Sequence, residues 1–274
     1  MTVILDKKFS IMTGMYWNRP ILETFENLIA AGFRSFEIWG HASHFDYMNK
    51  TIIDRLLKLM ENHNLFFSAY HIPSKQPFAF DTFDKSANNQ AIENICNLTN
   101  LFKILKIDII VMHCGNELTD NYKQQREIAL ENLKIITEHF LKNNISIAFE
   151  NTLPHHLGGK LEDFNFFIEN LKYQNAGWCI DTSHAYLSGK LDLFFSKFKD
   201  KIIHTHLSDN FGKYDDHFIP EEANINFSEI YNFLLSSEYK GVINFEVLNS
   251  KYTAQQNQNG KLEELLKNYI LQRF

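Results

Sequence analysis

Residues 202–227, IIHTHLSDNFGKYDDHFIPEEANINF, begin as an apolar run and end in His and Asp. Ile202, Ile203, Thr205 and Leu207 suit a buried strand. His204 and His206 lie two apart, so a strand points both to one face. Asp209, Asp215, Asp216 and His217 follow in a loop. Imidazole and carboxylate are ligands for zinc, manganese, iron and cobalt, so the chemistry these residues offer is that of a divalent ion. Similar residues end other apolar runs: His71 in AYHIP, His113 in VMHCG, Glu150 in AFENT and Asp181 in IDTSHAY, with His184 one short turn later. Glu246 lies within NFEVL. Burying carboxylates at strand ends costs several kcal/mol unless they are paired or metal-bound, so this recurrence predicts a metal site.

The elements that must position these residues follow from periodicity. Strands are expected at Phe9–Met15, Arg34–Trp39, Leu65–His71, Ile107–His113, Ile145–Glu150, Ala176–Asp181, Ile202–Leu207 and Val242–Val247. Helices are expected at Ile21–Ala31, Thr51–Asn62, Lys85–Leu105, Gln124–Lys142, Leu161–Leu171, Leu191–Phe198, Phe227–Ser236 and Leu262–Leu271. Pro20 opens the first helix and Gly32 stops it. Alternating apolar strands and helices imply a parallel sheet covered on both faces. Eight such units in 274 residues fit an α/β fold with a single (β/α)8 TIM-barrel domain over 1–274, since such barrels take about 250 residues. No glycine-rich phosphate loop follows an early strand, which argues against a dinucleotide fold. In such barrels the chemistry sits at the C-terminal strand ends, the rim where the His, Asp and Glu fall.

At 45% hydrophobic and 22% charged, the chain supports a packed core rather than disorder. A net charge of −6 argues against a nucleic-acid partner. Cys96, Cys114 and Cys179 share no CxxC spacing, so neither a disulfide framework nor a thiolate zinc site is expected. The N-terminus lacks signal-peptide character and no apolar stretch reaches membrane-spanning length, so a cytoplasmic protein without membrane contact is expected.

The chain resembles the xylose isomerase-like TIM-barrel superfamily of sugar and sugar-phosphate isomerases and epimerases, related dehydratases and the endonuclease IV group. The resemblance rests on Glu150-Asn151, Asp-Thr-x-His-Ala (Asp181–Ala185), His-Leu-x-Asp (His206–Asp209) and Asp-x-His-x-x-Pro (Asp215–Pro220). For the isomerase and epimerase members it implies one divalent ion (Mn, Zn, Fe or Co) on Glu150, Asp181, His206 and Glu246. It implies proton transfer by Glu150 and Glu246 through a metal-stabilised enediolate. His71, His184, His217 and Trp39 would then bind a small carbohydrate substrate. For the endonuclease IV members it implies three zinc ions on nine residues, and each has a counterpart here: His71, His113, Glu150, Asp181, His184, His206, Asp215, His217 and Glu246. GFRSFEIWGHASHF, with Glu37 at its strand end, looks like the isomerase pattern. No Lys/Arg cluster adjoins the predicted rim. The expectation is therefore a metal-dependent isomerase or epimerase with one ion per chain, and a trinuclear phosphoesterase as the alternative. A homodimer is expected from the family. After Pro220, Glu221-Glu222-Ala223 replaces the common Gly-Glu-Gly, so a different loop path is expected.

Other residues carry blander expectations. His41 and His44 belong to the pocket or a solvated loop, His155 and His156 to rim or surface, and His63 and His139 to helix surfaces. His204 is expected inside the barrel and Trp178 in the core. Trp17, Trp39 and Tyr70 are expected as an apolar wall for a sugar face, and Lys213 and Lys251 are the nearby cations.

Overall fold

The computed structural model describes residues 3–248 and 262–274. Its strands are β1 Phe9–Met12, β2 Ser35–Trp39, β3 Phe66–His71, β4 Ile109–His113, β5 Ser146–Glu150, β6 Ala176–Asp181, β7 Ile202–His206 and β8 Ile243–Phe245. Its helices are α1 Ile21–Ala31, α2 Lys50–His63, α3 Lys85–Asn97, α4 Thr99–Leu105, α5 Tyr122–Lys142, α6 Leu161–Asn170, α7 Thr182–Leu187, α8 Leu191–Phe198, α9 Ser228–Leu235 and α10 Leu262–Arg273. The strands pair in parallel in the order β7-β6-β5-β4-β3-β2-β1-β8.

β7 and β8 close the ring with a short seam. Leu207 N–H donates to Asn244 O at 3.0 Å and Glu246 N–H to Leu207 O at 3.2 Å. The Thr205 hydroxyl extends it, accepting from Asn244 N–H at 2.9 Å and donating to Asn244 O at 3.2 Å. The result is a nearly closed (β/α)8 barrel, the architecture that the alternating pattern predicts.

Alternation along each strand separates two interiors. Phe36, Phe67, Phe149 and Trp178 face the helices in the main apolar core. Ala69, Val111, Ala148 and Cys179 form a small cluster of their own. Polar groups share the barrel interior with it, including Ser10 and Ser68 at 2.8 Å and a buried group around Glu37.

Four local departures from the sequence pattern have physical causes. β1 ends at Met12, and Thr13–Tyr16 turn into a buried 3-10 helix whose Thr13 hydroxyl accepts from Trp39 N–H at 3.0 Å. The expected helix Lys85–Leu105 divides at Leu98. There the Thr99 hydroxyl, bonded to Cys96 O at 2.7 Å and His139 Nε2 at 2.8 Å, competes with the helical ladder. His139 is therefore half-buried rather than a surface residue. α7 is an additional short helix, nucleated when Asp181 Oδ1 accepts His184 N–H at 2.6 Å.

Tyr70 does not face the rim. It is fully buried among the aromatics outside the barrel, with Phe102 at 5.0 Å and Phe45 at 6.3 Å. Its hydroxyl has no hydrogen-bond partner among the described residues, and a Cβ on Gly40 would fall 2.5 Å from it. A buried hydroxyl without a partner costs free energy. Tyr70→Phe should therefore leave stability unchanged or raise it by about 0.5–1 kcal/mol. A chemical-denaturation midpoint that falls instead would show that the hydroxyl has a partner in solution.

Candidate metal centre

Parallel register brings the strand ends level: His113 lies beside Glu150, and Asp181 beside His206. Glu246 follows β8 by one residue rather than lying within it. Glu150, Asp181, His206 and Glu246 thus come from the successive strands β5 to β8. All four are buried, and their ligand atoms lie within 4.8 Å of one another.

Whether they suit an ion is decided by atoms left over. His206 Nε2 donates to Glu37 at 3.0 Å, which turns Nδ1 toward the group. That Nδ1 lies 3.3 Å from Glu150 Oε1 and 2.8 Å from Glu246 Oε2. Among the described residues, neither His206 Nδ1 nor Glu246 Oε2 makes an aligned hydrogen bond, and Asp181 Oδ2 has no partner either. Adjacent ligands held about 2.1 Å from one ion stand about 3 Å apart in octahedral and about 3.4 Å in tetrahedral geometry, close to these spacings. Burial pushes the Asp181 carboxyl up to about 7; His184 opposes this, while Glu246 and Glu150 add to it. A divalent charge removes that penalty, so the residues fit such an ion. One imidazole and three carboxylates suit Mn, Zn, Fe or Co.

Two further groups flank this one. His71 Nε2 and His113 Nε2 lie 3.0 and 3.1 Å from Glu150 Oε2. On the other side, His184 Nε2 and His217 Nε2 lie 3.2 and 2.9 Å from the same Asp215 oxygen, Oδ2. The far nitrogens of this second pair are committed: His184 Nδ1 donates to Asn151 O at 3.0 Å and His217 Nδ1 to Glu246 O at 2.9 Å. Neutral rings in that tautomer would aim two lone pairs at a carboxylate oxygen. Positive charge must therefore reside there, as extra protons or as a cation. His217 is held at φ 53, a conformation that costs a non-glycine residue energy. All nine residues expected from the sequence thus converge in three adjoining groups.

Several residues outside the nine support the site. Glu37 is not at a strand end but one pleat down, fully buried, where it accepts from His206, from His204 Nε2 at 2.7 Å and from Asn244 Nδ2 at 2.8 Å. Burial alone would raise its carboxyl, but His206 and His204 hold it well below the usual carboxylate range. His204 is the inner-barrel residue expected. Asn151 stitches β5 to β6 through Asp181, its Oδ1 accepting at 2.9 Å and its Nδ2 donating at 2.8 Å. Asp209 is not a ligand; it accepts from the N–H groups of Asn210, Ala223 and Ile225 and so folds the loop that carries Asp215 and His217. Parity points Glu37 inward on β2 and His204 inward on β7, but only the register pairs them.

Trp39 is half-buried and stacks on the exposed His41 at 4.7 Å, with 12° between the rings. His44 is buried, its Nδ1 on Arg19 O at 2.7 Å, so it is no solvated loop residue. Trp17 is exposed. Losing two glycines after Pro220 does not abolish a left-handed turn: Glu221 takes φ 70 and is tied to Arg273 at 3.0 Å. Lys213 is exposed over the Tyr214 ring; Lys251 lies outside the described residues. No described helix is long and apolar enough to cross a membrane.

The uncharacterized protein MJ1311 of Methanocaldococcus jannaschii is 26% identical over 97% of this chain and 90% of its own length. A probable endonuclease 4 of Mycoplasma mycoides is 27% identical over 39% of this chain and 40% of its own. Among solved structures, a D-tagatose 3-epimerase-like protein superposes with a TM-score of 0.81 at 22% identity, over 96% of this chain and 95% of that one. The family described as xylose isomerase-like TIM barrel matches residues 25–269. With nearly the whole barrel inside that match, the chain belongs to the xylose isomerase-like TIM-barrel family.

Proposed function

We propose that the protein is a divalent-metal-dependent isomerase or epimerase of a sugar, sugar phosphate or related keto-polyol. The observation that carries this reading is the placement of Glu150 and Glu246 on the outer strands of the β5–β8 arc, with Asp181 and His206 between them. An arc on four strands leaves the side toward β1–β4 for a substrate. A divalent ion there would act as a Lewis acid, stabilising charge on the carbonyl and neighbouring hydroxyl oxygens. Glu150 removes the proton from the carbon beside the carbonyl and Glu246 returns one. His71 orients the substrate's oxygens, His184 and His217 support the ligands from the Asp215 side, and Trp39 supplies an apolar wall. Solved structures of L-ribulose 3-epimerase and D-psicose 3-epimerase share the fold, which supports the reading at the level of architecture.

The test is metal content by elemental analysis, paired with turnover of a ketose and sugar-acid panel. About one ion per chain with conversion of a panel member is expected. Glu246→Gln should lower kcat about 10²–10⁴-fold and, because Glu246 is also one of the four ligands, lower metal content with it. Full activity in this variant would end the two-glutamate mechanism.

A second reading, a trinuclear phosphoesterase resembling endonuclease IV, is favoured by one observation: the His184–Asp215–His217 group needs positive charge of its own. About three ions per chain with cleavage of an abasic duplex would establish it. Against it, the described loops after β6 and β7 carry few cations. Lys190 pairs with Glu162 at 3.0 Å, and Lys213 lies over Tyr214, whereas phosphate backbones are held by available Lys and Arg.

A further inference from the structure

Outside the nine residues, one more group among the described residues brings metal-type donors together. Glu117, in the loop after β4, and His155 and His156, in the loop after β5, have ligand atoms within 4.8 Å of one another. The two imidazoles stand edge to face with centroids 4.6 Å apart. His156 Nε2 is 4.0 Å from Glu117 Oε1.

The backbone beneath them is organised. Glu117 and His156 form an antiparallel bridge. Leu118 N–H donates to His155 O at 2.8 Å, and Leu157 N–H to Asn116 O at 2.9 Å. Asn116 is anchored in turn on buried Asp81, through its backbone N–H at 2.8 Å and its side-chain amide at 2.6 Å. The bases of the three side chains are therefore fixed, while the Glu117 carboxylate, 79% exposed, is free to move. Ligands around a tetrahedral zinc stand about 3.4 Å apart, closer than the 4.8 Å within which these three lie, so the exposed Glu117 and His155 side chains draw in to close the set.

We propose that Glu117, His155 and His156 form a separate zinc site that clamps the β4 and β5 loops together at the barrel mouth. Two imidazoles and a carboxylate, with solvent filling the fourth position, are a standard zinc donor set. The clamped loops continue directly from His113 and Glu150, so the ion would stiffen the mouth beside the His71–His113–Glu150 group without belonging to it.

The test uses the full chain with its central sites already loaded. Zinc alone is titrated by calorimetry, and hydrogen exchange is followed with and without it. The expected result is one additional zinc per chain, with slowed exchange at the Leu118 and Leu157 amides that span the two loops. In His155→Gln and in Glu117→Gln, both exposed positions that tolerate substitution, the additional zinc and the slowing should disappear while central metal content is kept. The proposal is overturned if the wild type takes up no additional zinc. It is also overturned if both variants take it up equally, or if uptake leaves those two amides unchanged.

Discussion

Glu150→Gln should abolish function more completely than any other single change, lowering turnover by about 10³-fold or more. Glu150 serves two groups at once. Its Oε1 lies 3.3 Å from His206 Nδ1, and its Oε2 accepts the approach of His71 and His113. Burial disfavours its charge, but His206 and His113 hold it well below the usual range, so it is an anion when the site is assembled. An amide of the same shape presents a donor to one side of this arrangement and carries no charge. It can neither take a proton nor share a cation between neighbouring groups. Metal content and turnover should therefore fall together, with the loss of metal measured on protein purified without chelator. A variant that kept its metal but lost turnover would assign Glu150 to proton transfer alone. A variant that kept both would remove it from the centre.

The barrel is legible in the chain because its signals are local. Continuous β-branched and aliphatic runs mark the strands, and the boundaries of β6 and α8 coincide with those read from sequence. The ligands are legible for a related reason: a carboxylate or imidazole ending an apolar strand is anomalous at the level of single residues. What is not legible depends on register or on competition. The parity of β2 points Glu37 inward, but nothing in the sequence places it under His206, because that contact joins strands far apart in the chain. The split at Leu98 depends on a hydroxyl reaching across to another helix, while the apolar period runs on unbroken. Tyr70 ends up outside the barrel because its neighbours Ala69 and His71 take the inward positions, and an aromatic next to a ligand carries no sign of which face it takes. Glu221 shows that a left-handed turn can survive without the residue that usually marks it.

Glu37→Gln is the largest expected effect away from the ligands themselves, and it separates packing from function. Three donors converge on this carboxylate: His204, His206 and Asn244, all fully buried. The amide can accept from some of them but must turn its own N–H groups toward the rest, leaving a buried donor facing a donor. Disrupting a buried charged network of this kind costs about 3–5 kcal/mol. For a chain of this size that lowers the thermal midpoint by roughly 10 °C. If Glu37 only fills the barrel, protein with and without metal should lose the same amount. If it holds His206 with Nδ1 turned to the ion, metal affinity falls a further 10–100-fold, as it does when a carboxylate behind a histidine ligand is lost. Metal-loaded protein should then lose about 1–3 kcal/mol more than chelated protein. The comparison is internal, because the same substitution is measured in both states and the packing loss cancels. An equal loss in both would leave Glu37 a core residue, whereas the extra loss would make it the residue that orients the centre's sole imidazole among the four β5–β8 ligands.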